Sequence, residues 1–174
     1  MLSDVLKAGV VFFAAVVLQS AVLSGIEPGG GSADLVLVTL TAVALLRGSI
    51  FGAVAGFYAG FLVDAANLQT LGTSSLLLTL AGYWIGRYGE TTGRDRAHAP
   101  LLAIAVVTVL YALGDLGMHY LLGDPVSAKD GLIDALPAQI ILNLVLTIPV
   151  YALCRRILTR PGSRGAMEVE FGTH

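Results

Sequence analysis

Apolar runs recur along nearly the whole chain and are separated only by short polar breaks. This pattern makes the hydrophobic segments the protein itself rather than an anchor attached to a soluble domain. The composition agrees: 56% of the 174 residues are hydrophobic and only 13% are charged, outside the mix of a soluble domain. Reading runs and breaks predicts an all-α integral membrane protein, a compact bundle of six transmembrane helices over 5–23, 33–46, 49–63, 71–85, 101–122 and 135–158. The middle three are shorter than the roughly 20 residues of an ordinary span. They must borrow flanking residues, thin the bilayer or lie shielded by longer helices, and a re-entrant hairpin over 33–63 is the competing arrangement.

Basic residues set the expected orientation. With six spans and the N-terminus inside, Lys7, Arg47, Arg87, Arg94, Arg96, Arg155, Arg156, Arg160 and Arg164 fall on the cytoplasmic face, and Lys129 alone outside. The acids Glu27, Asp34, Asp64, Asp124, Asp130 and Asp134 fall outside, Asp4, Glu90, Asp95, Glu168 and Glu170 inside, and Asp115 within the membrane. The segment "LKAGVVFFAAVVL" is read as a first span rather than a signal peptide, because Asp4 weakens its basic start and no clear cleavage site follows. Domain organisation is then a six-helix unit over 1–158 and a flexible cytoplasmic tail over 159–174, which is polar and rich in glycine. Cys154 is the single cysteine, which excludes an intrachain disulfide and a cysteine-cluster metal site.

Glycine stands at 48, 52, 56 and 60, and Asp64 closes the series. Each glycine costs about 1 kcal/mol against alanine inside a helix, so the ladder needs a compensating contact. Residues four apart form one ridge, and a ridge without side chains lets a neighbouring helix approach backbone to backbone. Gly82 and Gly86 repeat the spacing in the next span. A tight pair of helices within the chain is the plain reading; a glycine-lined cleft and a seam between two copies, hence a homodimer, stay open. Asp64 lies where the helix dipole disfavours an anion, so it needs a partner. Backbone amides near Gly72 and Thr73 at the start of the next helix would serve as a clasp; a cation from another subunit is the alternative.

Asp115 and His119 share a helix face, and Gln139, Asn143 and Thr147 form a polar stripe on the last helix. Ionisable groups within a membrane are expensive and invite a functional reading, either proton relay or polar glue between helices. The amides of the stripe would satisfy the carboxylate and imidazole in a buried polar cluster. Pro149 bends or weakens that helix. No phosphate-binding loop, zinc-protease, serine-hydrolase or glycosyltransferase pattern is present, and one Asp with one His is too few for a metal site. The expectation is therefore a chain with no catalytic residues, metal or cofactor. Its cytoplasmic arginines suit anionic lipid rather than nucleic acid.

From 34 to 88 the chain resembles the rod-shape-determining MreD family. The resemblance rests on a helix opening after a polar turn, the basic break before Gly48, the run Gly52, Gly56, Gly60, Asp64, then Gly72 and "GYWIGR". The glycine-ladder-to-aspartate pattern is also similar to the S components of energy-coupling-factor vitamin transporters, whose fold that family is thought to share. The resemblance implies a non-catalytic subunit of the cell-elongation (Rod) machinery in the bacterial cytoplasmic membrane, with both termini cytoplasmic. Its implied partner is MreC, a single-span protein with an extracytoplasmic domain. Through MreC it would reach MreB, RodA and a class B penicillin-binding transpeptidase, and so organise side-wall peptidoglycan synthesis. A vitamin-binding S component is the second reading and an ion-coupled transporter the third. The first helix, the last two helices and the tail match only in general character.

Overall fold

The computed structural model describes residues 2–22, 33–67, 72–92, 99–123 and 136–158, and these form six α-helices. They are α1 (Leu2–Val22), α2 (Leu35–Arg47), α3 (Ser49–Asn67), α4 (Thr73–Thr92), α5 (Ala99–Leu122) and α6 (Leu136–Leu158). Glu27, Arg94, Asp95, Arg96, Asp124, Lys129, Asp130, Asp134 and the tail at 159–174 lie outside the described residues. Among the helices, α3, α5 and α6 are long and apolar enough to cross a membrane by length and composition.

α2 is the centre of the bundle. It touches every other helix, and the remaining five close a ring around it in the order α1, α3, α4, α5, α6. From Leu35 to Leu45 every residue of α2 is buried. A helix that meets protein on all sides has no amphipathic face to show and no bilayer thickness to match, which is why 13 residues suffice here. Its ends are closed locally. The Asp34 carboxylate accepts from the Leu37 amide at 2.8 Å as an N-cap, and Arg47 donates to the Leu158 carbonyl of α6 at 3.0 Å.

The core is built from the α2 aliphatics, Phe12 and Val16 of α1, Leu78 and Ile85 of α4, and Ile104 and Val107 of α5. The outward faces carry Val10, Phe13 and Val17 on α1, Ile50, Val54 and Phe57 on α3, and Val106 and Leu110 on α5, all exposed. This arrangement, small or aliphatic inside and large apolar outside, is inverted from a soluble protein and suits a lipid solvent.

Two of the three helices expected to be short are not. α3 and α4 have 19 and 20 residues. Asp64 and Glu90 look like helix ends in a hydropathy reading, but the helices run through them because each carboxylate bonds the start of the neighbouring helix. Pro100 sits in the first turn of α5, where no intrahelical donor is lost. Pro149 lies within α6, where its missing N–H frees the carbonyl one turn earlier.

Candidate functional site: the α3–α4 seam and the outer polar layer

α3 and α4 run antiparallel and form the most extensive interface in the bundle. Gly52 and Gly82 lie backbone on backbone, so a methyl group added to either would fall on the carbonyl oxygen of the other. One turn along α3, a methyl on Gly56 would strike the Leu78 carbonyl, and one on Gly60 the backbone of Ser74 and Ser75. Towards the other end Gly86 rests on the backbone of Gly48 and Ser49. Gly52 also faces Ala44 of α2, whose Cβ would stand 2.8 Å from an added methyl. The dispersion gained by this approach offsets the low helix propensity of the glycines.

Gly48 differs from the other rungs. It lies between α2 and α3 with φ 95° and ψ −179°, a region open essentially to glycine alone. Its N–H bonds the Ala44 carbonyl and its carbonyl accepts from the Gly52 amide, so one residue ends α2 and begins α3. Gly72, at φ 105°, starts α4 in the same way, its carbonyl accepting from Leu76. Glycine has no side chain to cap the helix it opens, and in both cases the facing helix supplies the cap. Asp64, fully buried near the end of α3, accepts from the Gly72 amide at 2.8 Å and the Ser74 amide at 3.1 Å. Glu90, near the end of α4, accepts from the Ser49 amide at 2.8 Å and from the Ser49 hydroxyl at 3.1 and 3.2 Å. Each carboxylate thus sits on the positive N-terminal end of the helix its own helix packs against.

Glu90 was missed in the sequence because it reads as one more cytoplasmic acid. The signal was present as an internal repeat. "AGFYAGFLVD" at 55–64 and "AGYWIGRYGE" at 81–90 share Ala-Gly, two aromatics, a second glycine and a carboxylate four residues beyond it. Folded antiparallel, the two copies place Phe57, Tyr58, Tyr83 and Trp84 on the exterior and the glycines in the seam. The Tyr83 and Trp84 rings meet edge to face at 5.8 Å.

The second group of polar residues gathers around the start of α2. Asn143 of α6, fully buried, accepts from the Asp34 amide at 2.8 Å and donates to the Thr108 hydroxyl of α5 at 3.1 Å. Gln19 of α1 accepts from the Val36 amide at 3.0 Å. Two ring helices, α1 and α6, therefore satisfy amides that open the central one, and α5 holds the Asn143 side chain in place. The α6 stripe does not answer Asp115 and His119 as expected. Thr147 donates to the Asn143 carbonyl of its own helix at 2.6 Å, and Gln139 is half-buried. His119 bonds the Asp115 carbonyl at 2.9 Å and stands 3.5 Å from its carboxylate, and both side chains are partly exposed, 31% and 43%. Asp115 and His119 thus form a local, partly exposed pair on α5, while the Asn143 side chain is bonded to Asp34 and Thr108 in the core. Among the described residues no group of three or more His, Cys, Asp or Glu is placed to hold a metal ion.

An all-helical bundle with lipid-suited faces, whose buried polar groups hold helix ends, is in class a membrane protein. The family follows from comparison with known proteins: residues 5–157 match the family model described as rod shape-determining protein MreD, and the chain belongs to that family. Its role therefore lies in rod-shape determination. No curated protein and no solved structure matches the chain, so the likeness to S components rests on sequence pattern alone.

Proposed function

We propose that this chain is a non-catalytic scaffold of the bacterial cytoplasmic membrane, crossing it six times with both ends in the cytoplasm. It binds MreC and, through it, joins MreB, RodA and a class B penicillin-binding transpeptidase to organise side-wall peptidoglycan synthesis. The observation that carries this reading is how the described polar groups are used. Asp64, Glu90, Asp34, Asn143 and Gln19 are engaged by helix termini, leaving rigid packing rather than a reactive centre as the product of the fold. Rigid packing is what a platform for partner helices requires.

Orientation is supported by charge. Arg47, Arg87, Arg155 and Arg156 lie towards one end of the bundle, where the Gly48 joint and the last turn of α6 also lie. Native mass spectrometry of the chain extracted gently with its membrane partners tests the proposal. Co-purification of MreC-like, RodA-like or transpeptidase subunits is expected; a bound vitamin-sized mass with ATPase subunits would overturn it in favour of a transporter.

A further inference from the structure

We infer that the lipid-facing belt of this protein is markedly thinner than an ordinary bilayer core, and that phospholipids of short acyl reach pack around it. The inference rests on the six-span reading above. Its ground is a polar level shared by neighbouring helices. Asp34 opens α2 and is bonded to Asn143 of α6, which is bonded to Thr108 of α5. Gln19 of α1 reaches the first turn of α2. Asp64 of α3 is bonded to the first amides of α4, and Ser74 lies against Gly60. The first set ties polar groups of α1, α2, α5 and α6 to one another, and the second ties α3 to the start of α4.

The distance from these polar groups to the basic end can be counted along five of the helices at about 1.5 Å per residue. Asp34 to Arg47 on α2 spans about 20 Å, Ser49 to Asp64 on α3 about 22 Å, and Ser74 to Arg87 on α4 about 20 Å. On α6, Asn143, which joins that level, stands about 18 Å from Arg155, and on α5 the partly exposed Asp115 stands about 24 Å from Ala99. A typical hydrocarbon core is about 30 Å. The half-exposed Asp115 belongs at the interface, not in hydrocarbon. The outer end of α5, with Tyr120 84% and Leu121 80% exposed, then stands among headgroups above the belt. At the other edge the exposed Arg87, Arg155 and Arg156 match the phosphates of the inner leaflet in charge. Lipid adjusts to a short belt by thinning, and shorter chains adjust most easily.

Trp84 is the single tryptophan, exposed on α4, and so reports on adjacent lipid without any substitution. The experiment reconstitutes the full chain in mixtures of ordinary and chain-brominated phosphatidylcholine with acyl chains of 14 to 22 carbons, and reads quenching of Trp84. The expected result is a relative binding constant highest at 14 to 16 carbons and at least about threefold lower at 22. A maximum at 18 carbons or longer, or no dependence on length, overturns the thin belt while leaving the scaffold reading intact. Absence of quenching by any brominated chain overturns the six-span reading itself, since α4 would then not meet lipid. A second reporter, Leu110→Trp in a Trp84→Phe background, samples α5. The same preference there supports a common level around the molecule, and a preference for 18 carbons or longer overturns it.

Discussion

The α3–α4 pair and the α5–α6 pair are both antiparallel neighbours in the ring, yet they are held by different means. In the first, glycine meets backbone at every turn, and each helix end is capped by a carboxylate of its neighbour. In the second, contact runs through side chains, with Asn143 and Thr108 as the polar link. A methyl group added to Gly117 of α5 would meet nothing within 4 Å. The same residue type therefore does opposite things in the two pairs. In α3 and α4 it sets the interhelical distance, and at 117 it leaves open space. Spacing alone does not distinguish these cases, but the neighbour does.

Substitutions can break this contrast in graded steps. The largest effect is expected from Gly56→Leu, which drives a side chain into the Leu78 carbonyl with no flexible group to yield; no monodisperse protein should be recovered from membranes, and normal yield and melting temperature would remove the seam as the organising contact. Next, Asp64→Ala leaves the Gly72 and Ser74 amides without acceptors and should cost about 3 kcal/mol, read as lowered thermal stability in detergent. Asp64→Asn keeps one acceptor oxygen and should cost roughly half as much.

Glu90→Gln tests whether the two caps are equivalent. Glu90 bonds Ser49 through both oxygens and also lies 3.7 Å from Arg87. Its amide retains an acceptor, so a loss of about 1 kcal/mol is expected, and a loss matching Asp64→Ala would show the Glu90 cap to be the dominant one. On the other pair, Asn143→Ala should cost about 2 kcal/mol by orphaning the Asp34 amide and the Thr108 hydroxyl. The smallest effect is expected from Gly117→Ala, which gains helix propensity without a clash and should stabilise by up to about 1 kcal/mol. Destabilisation there would mean that α5 packs closely against another molecule in the membrane.

Much of the seam was legible before folding. The ladder from Gly52 to Gly60, its continuation at Gly82 and Gly86, and the need of Asp64 for a partner all follow from spacing and helix polarity. The second amide belongs to Ser74 rather than Thr73, a matter of local geometry at the helix start. Glu90 was readable only through the repeat it shares with Asp64. The polar stripe of α6 is legible as a face, but its partners are not, because a face constrains direction and not which helix lies opposite.

Sequence by itself determined that the chain is helical, built for lipid and asymmetric in charge, since hydropathy, glycine spacing and arginine placement are local properties that survive any arrangement of the helices. It also carried the membership of a shape-determining family in its 5–157 segment. Only tertiary structure decided that the short α2 is the hub of a five-helix ring, that two glycine-started helices cap each other, and that Asn143 serves Asp34 instead of Asp115. The physical reason is that burial on all sides and a shared carboxylate are relations between segments, and periodicity within one segment holds no record of its neighbours.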